Sequence, residues 1–238
     1  MKLKSIKGYF SKVEITLWIV SVSLIIIAFA VFDRRNYKIL VASIIGATSL
    51  IFNAKGNPIG QVLMVVFSAL YGIISYSFAY YGEMITYLGM TAPMAIVALI
   101  AWLKNSYKGN KVEVKVNRLG WNDIILMAAL TTAVTVAFYF ILWYFNTANL
   151  LPSTLSVTTS FIAVYLTFRR SPYFAIAYAA NDIVLIVLWV LATLTDISYL
   201  SVTICFAVFL VNDIYGFINW LQMQKRQRNQ EGTQCSEK

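Results

Sequence analysis

The residues best suited to chemistry lie between Tyr178 and Trp220. Two apolar runs there each carry an Asn-Asp pair, Asn181-Asp182 and Asn212-Asp213, and in each a Trp follows eight residues after the Asn, at Trp189 and Trp220. At 3.6 residues per turn, positions i, i+4 and i+8 lie roughly along one helix face. An amide offers donors and acceptors to hydroxyl or carboxamide groups. A carboxylate balances a cation. An indole stacks on a flat cationic ring, an interaction worth ~0.5–2 kcal/mol. Such polar groups are costly in an apolar run, so the default reading is a binding site facing the protein interior.

Neighbouring Asn and Asp side chains point about 100° apart on a helix. One of each pair is therefore expected to face a pathway while the other is free to clamp helices. The competing reading of Asn-Asp is a clamp alone. For Trp189 and Trp220 the competing reading is an interfacial aromatic belt. Asn212, Tyr215 and Asn219 follow i, i+3, i+7 and form a second polar stripe beside Gly216. Upstream, Gln61, Tyr71 and Ser75 are the candidates to face the same pathway. Trp121-Asn122-Asp123 reads as a helix start.

The elements that must position these residues are membrane helices. The chain has 238 residues, 60% hydrophobic and 12% charged, against about a quarter charged in a soluble domain. Eight apolar runs are readable, at about 13–31, 39–53, 59–81, 85–103, 121–145, 153–168, 172–193 and 198–222. The reading is an all-α polytopic membrane protein with eight transmembrane helices. The first run, basic and then apolar, is read as a retained helix rather than a cleaved leader. Residues 104–120 read as a polar, Lys-rich loop, and the tail from Gln224 as disordered. By depth, Asn181 lies roughly 13 Å into the seventh run and Asn212 roughly 21 Å into the eighth from the opposite side. Both are near mid-membrane, so they can belong to one site.

Net charge is +9. Sorted by side of the membrane, Arg34, Arg35 and Lys38 fall on one side and the other sixteen Lys and Arg on the opposite one. That bias predicts both termini in the cytoplasm and makes nucleic acid an unneeded explanation of the charge. There is no His, and Cys205 and Cys235 are far apart in environment, so no metal site, disulfide or cofactor is expected. No nucleophile, base and orienter set is present, and no phosphate-binding Gly-rich loop. An enzyme and an ATP-driven pump are both disfavoured.

Lys55-Gly-Asn-Pro58 matches Arg169-Arg-Ser-Pro172 in character and place. Each follows a short run and precedes a long one, then an acidic turn (Glu83, Asp196) and a third run ending in Trp102 or Trp220. Runs two to four and six to eight thus read as two copies of one three-helix unit, joined by the fifth. Parallel repeats of this kind are a transporter architecture, with the substrate at the repeat interface. The divisions are an N-terminal arm and extra helix (1–36), a first repeat (37–104), a loop and linker helix (105–146), a second repeat (147–223) and the tail (224–238).

The stretch from Arg169 to Trp220, above all FLVNDIYGFINW, resembles the PnuC family of vitamin-precursor transporters, with support from GWND at 120–123 and NAKGNPIG at 53–60. The resemblance implies a three-plus-one-plus-three core similar to SWEET sugar transporters, preceded by one extra helix. It implies a homotrimer in the inner membrane that carries nicotinamide riboside by facilitated diffusion, with a cytoplasmic kinase trapping the substrate by phosphorylation. Relatives with altered site residues carry thiamine or riboflavin, and this chain has fewer Trp in its motifs than the family often shows. Gln61, Asn181, Asp182, Trp189, Asn212, Asp213, Tyr215, Asn219 and Trp220 are the expected substrate-binding residues.

Overall fold

The computed structural model describes residues 9–77, 81–147 and 149–236. Lys2, Lys4, Lys7 and Lys238 of the charge count, the last residues of the third run (78–80) and the side chain of Cys235 lie outside the described residues. The helices are α1 (Lys12–Phe32), α2 (Tyr37–Ala54), α3 (Pro58–Ser77), α4 (Tyr81–Thr86), α5 (Ala92–Lys104), α6 (Trp121–Tyr144), α7 (Leu150–Phe168), α8 (Tyr173–Thr193) and α9 (Leu200–Ser236). With α4 and α5 taken as one span, eight segments are long and apolar enough to cross a membrane.

The start of α1, the end of α9 and the 104–120 segment share one end of the bundle, the basic end. The fourth span is broken where one helix was expected. A π turn, Tyr87–Thr91, joins α4 to α5. Pro93 has no N–H to give the carbonyl four residues back, and the chain takes up an extra residue just ahead of it.

Two further elements depart from the sequence reading. The 104–120 segment contains an antiparallel hairpin, β1 (Ser106–Tyr107) and β2 (Asn110–Val114). Its two turn residues, Lys108 and Gly109, have φ of 49° and 74°, the positive-φ pair that a tight hairpin needs. The tail, expected to be disordered from Gln224, instead continues α9 to Ser236. The hairpin holds it there. Gln227 donates from Nε2 to Val114 O at 3.0 Å and to Glu113 Oε1 at 2.8 Å, and its Oε1 accepts from Val116 N at 2.9 Å. Arg226 pairs with Glu113, Lys115 with Glu231 at 2.8 Å, and Tyr107 donates to Gln230 at 2.8 Å.

The turns after α2 and α7 are built alike. Gly56 N–H bonds Asn53 O and Asn57 N–H bonds Phe52 O; Arg170 N–H bonds Thr167 O and Ser171 N–H bonds Leu166 O. Gly56 and Arg170 both have positive φ, at 65° and 57°. The strand running from β2 serves both turns, Val114 N–H reaching Gly56 O and Asn117 N–H reaching Arg170 O, each at 3.0 Å. Across the bundle, Trp102 at the end of α5 donates its indole N–H to Thr167 O at 2.9 Å. Trp220 on α9 donates to Asn53 O at 2.7 Å. Both indoles are fully buried, with ring centroids 5.4 Å apart. Each three-helix unit thus ends in a Trp that ties down the other unit's first helix.

The first helix, α1, packs on α9 and α2. Ser11 and Glu14 form a capping box at its start, and Glu14 holds Lys55 Nζ with both oxygens at 3.0 Å. The linker, α6, packs chiefly on α7 and leaves most of its apolar surface facing outward.

Candidate functional site

A small cavity of about 40 Å³ lies between the α2–α5 and α7–α9 helices, lined by α2, α3, the π turn, α7, α8 and α9. One wall is polar, made by Ser160, Tyr178, Asn181, Asp182 and Asp213. The other carries rings and aliphatic groups, including Met64, Phe67, Phe206 and Phe209. The rings are packed edge to face: Phe67 stands 5.9 Å from Phe209 and 5.9 Å from Tyr87, and Phe206 stands 5.7 Å from Phe209. Gly46 on α2 permits this closure, because a Cβ there would lie 2.6 Å from the Phe209 ring.

The polar wall is fixed by the hydroxyl-rich start of α7. Ser156, Thr159 and Ser160 sit at i, i+3 and i+4 and so share a face. All three donate to Asn181 Oδ1, at 3.3, 2.8 and 3.1 Å. The carbonyl side of the amide is therefore saturated, and Nδ2 is left for the cavity, with no protein partner among the described residues. Next to it the carboxyls of Asp182 and Asp213 face one another within hydrogen-bonding reach. Both are buried, and Asp182 Oδ2 has no hydrogen-bond partner. Two acids so placed are completed by a shared proton or by a cation. An amide donor and a carboxyl pair opposite aromatic rings suit a flat, cationic, hydrogen-bonding ligand.

Residues at equal offsets from Pro58 and Pro172 meet at this cavity. Phe67 lies nine residues after Pro58, and Asn181 nine after Pro172. Met64 and Tyr178 lie six after the same prolines, and Gly46 and Ser160 twelve before them. All six line the cavity. One residue further on, Ser68 matches Asp182, and each has a buried oxygen without a partner. The second unit has the polar member of each pair and the first the apolar or smaller one.

Of the nine residues expected from the sequence, Asn181, Asp182 and Asp213 line the cavity. The other six are held elsewhere. Asn212 is turned to α1, donating to Ser21 Oγ at 2.9 Å and to Val208 O at 2.8 Å. Tyr215 follows it on that face and donates to Glu14 at 3.2 Å. Gln61 donates to Asn53 Oδ1 at 2.8 Å and ties α3 to α2. Asn219 donates to Ala54 O at 2.7 Å, and Trp220 is locked at the basic end. Trp189 packs in the core beside Tyr199, ring centroids 5.5 Å apart. Asp123 caps α6 through Gly120 N–H and pairs with Arg169, which matches its reading as a helix start.

Sequence reasoning missed Tyr87, Thr91, Tyr178, Ser160 and the Phe cluster. The run of hydroxyls in STLSVTTS was a usable signal for the α7 wall. Rings in an apolar helix carry no such signal, because lipid-facing and cavity-facing Phe look alike in sequence.

The family model for nicotinamide mononucleotide transporters matches residues 36–222, which takes in everything except α1 and the tail. A curated relative, the nicotinamide riboside transporter PnuC of Neisseria mucosa, is 28% identical over 207 residues, covering 84% of this chain and 78% of its own length. Among solved structures, the crystal structure of the vitamin B3 transporter PnuC superposes with a TM-score of 0.79 at 24% identity, over 92% of this chain and 95% of that one. That likeness carries the fold, a bundle of eight membrane helices. Taken with the family match over most of its length, it makes this chain a member of the nicotinamide mononucleotide transporter family, a multi-pass membrane transporter and not an enzyme.

Proposed function

We propose that the protein imports nicotinamide riboside by facilitated diffusion, as a uniporter. The observation that carries this is the buried Asp182–Asp213 pair, set beside the free Asn181 Nδ2 and opposite the Phe67, Phe206 and Phe209 rings. A pyridinium ring meets the carboxyls with its charge and the rings with its face; a carboxamide or ribose hydroxyl meets the amide. The curated relative, named as a nicotinamide riboside transporter, supports the same reading.

The basic end is read as cytoplasmic, with both termini inside, from the distribution of Lys and Arg. Rocking of the α2–α5 unit against the α7–α9 unit would open the cavity to each side in turn. A cytoplasmic kinase would trap the substrate by phosphorylation, and the protein would work as a homotrimer. Thiamine is the second candidate, because it too presents a flat cationic ring.

The test is calorimetry and thermal shift on the purified protein against nicotinamide riboside, thiamine and riboflavin. Stabilisation by nicotinamide riboside alone is expected. Binding of riboflavin, which has no positive charge, in preference to both cations would overturn the reading.

A further inference from the structure

A second small cavity, of about 30 Å³, lies beyond the first, on the side away from the basic end. It is walled by α4, the end of α6, the start of α7 and α8, and it shares Tyr87, Ser160 and Leu185 with the central cavity. These three side chains are the partition between the two. The outer walls carry Glu83, Thr86, Thr147, Ser153 and Ser156. Glu83 lies within hydrogen-bonding reach of Tyr71 and Ser75 of α3, and neither its Oε2 nor Tyr71 Oη, both buried, has a well-formed hydrogen bond. Among the described residues no Lys or Arg lines either cavity. An acid set among hydroxyls, one oxygen unpaired and no protein cation beside it, is built to receive a cation that arrives from outside.

The partition stands on the least regular backbone of the bundle. Tyr87 opens the π turn, and its ring lies 4.5 Å from that of Tyr71. Thr91 Oγ1 donates to Thr86 O at 3.3 Å, across the turn. Behind it α3 approaches closely at Gly72, where a Cβ would lie 2.5 Å from Leu88. A π turn that resumes α-helical pitch rotates the residues ahead of it relative to those behind by about 100°. That rotation would carry Tyr87 off the partition and join the two cavities.

We propose that the outer cavity is a second binding subsite for a flat organic cation bearing hydroxyl groups, met by Glu83 before Tyr87 yields and the ligand reaches Asp182 and Asp213. The proposal rests on the nicotinamide riboside reading given above. At its present size the cavity is closed to such a ligand, so occupancy requires the α4 and α7 walls to part.

The experiment is uptake into proteoliposomes of nicotinamide riboside and of its dihydro form, which keeps the shape and loses the positive charge. Glu83→Gln is expected to slow uptake of the cation about tenfold and to leave uptake of the dihydro form within twofold. Equilibrium binding of the cation to the central site should also stay within twofold. Equal slowing of both compounds would make Glu83 a packing residue and overturn the proposal, as would no change in either. Leu188→Phe, which fills the outer cavity from α8 and leaves the central one untouched, is the second variant. It is expected to slow both compounds without weakening equilibrium binding, and unaltered uptake through a filled cavity sinks the proposal. Wild-type protein that carries neither compound removes the nicotinamide riboside reading and this one with it. Wild-type protein that carries the cation, matched by Glu83→Gln, removes this one alone.

Discussion

At the scale of the residue, the two Asn-Asp pairs look the same in sequence and do different work. Asn181 and Asp182 both face the cavity wall; of the second pair only Asp213 does. Asn212 points about 100° away, into the seam with α1, where Ser21 receives it. The sequence could place both pairs at mid-membrane, because depth is a count of residues. It could not say which side of α9 meets the cavity, because that depends on where the extra helix packs, and the two Ser of LWIVSVSLIII do not announce it. Separate outcomes follow for one residue of each pair. Asp182→Asn, measured by calorimetry, should weaken binding of a cationic ligand at least tenfold with little change in thermal stability. Asn212→Ala should leave affinity unchanged and lower stability by about 1–3 kcal/mol, because Ser21 and the space around it lose their partner. A variant of Asn212 that binds poorly while folding normally would reverse the assignment.

At the scale of the element, the reciprocal Trp contacts bind the two units at the basic end. Trp102 and Trp220 were legible as matching ends of two repeats, and in each the indole N–H has found a helix-terminal carbonyl of the other unit. Trp102→Phe and Trp220→Phe should each cost about 1–2 kcal/mol, the range for a buried hydrogen bond left half made. Thermal unfolding in detergent would read it, and a large inequality between the two would argue against equivalent roles. The hairpin and the continued α9 were not legible. A short strand pair in a Lys-rich loop has little periodicity, and a polar helix outside the bilayer reads as tail until its partners are known. Removing residues 224–238 should loosen the hairpin, seen as faster hydrogen exchange at Val114 and Val116, whose backbone groups Gln227 holds. The break at Tyr87–Thr91 is half visible in the sequence: Pro93 marks the run, but the shift of pitch beside it depends on the neighbouring helix at Gly72.

At the scale of the whole molecule, eight spans were readable, because lipid demands long apolar helices and the turns between them carry Pro and charge. The same economy of charge sets a thermodynamic expectation. A uniporter for a cation needs no coupled ion, since one charge crossing 100 mV gains about 2.3 kcal/mol. Proteoliposomes with an inside-negative potential of that size should accumulate nicotinamide riboside up to about fiftyfold with no ion gradient to spend. Accumulation that instead requires sodium or a proton gradient would contradict the uniport reading.

The paired positions around the central cavity have one more consequence. Gly46 against Ser160, Met64 against Tyr178 and Phe67 against Asn181 have the outline of a two-fold and unlike chemistry on its two sides. A flat guest in such a space has two poses that differ by half a turn and occupy nearly the same volume. Only one of them lays its hydrogen-bonding edge on α8 and its bare face on α3. On the proposed function, the divergence of the two halves selects which side of the ligand meets α8 as well as which compound is taken.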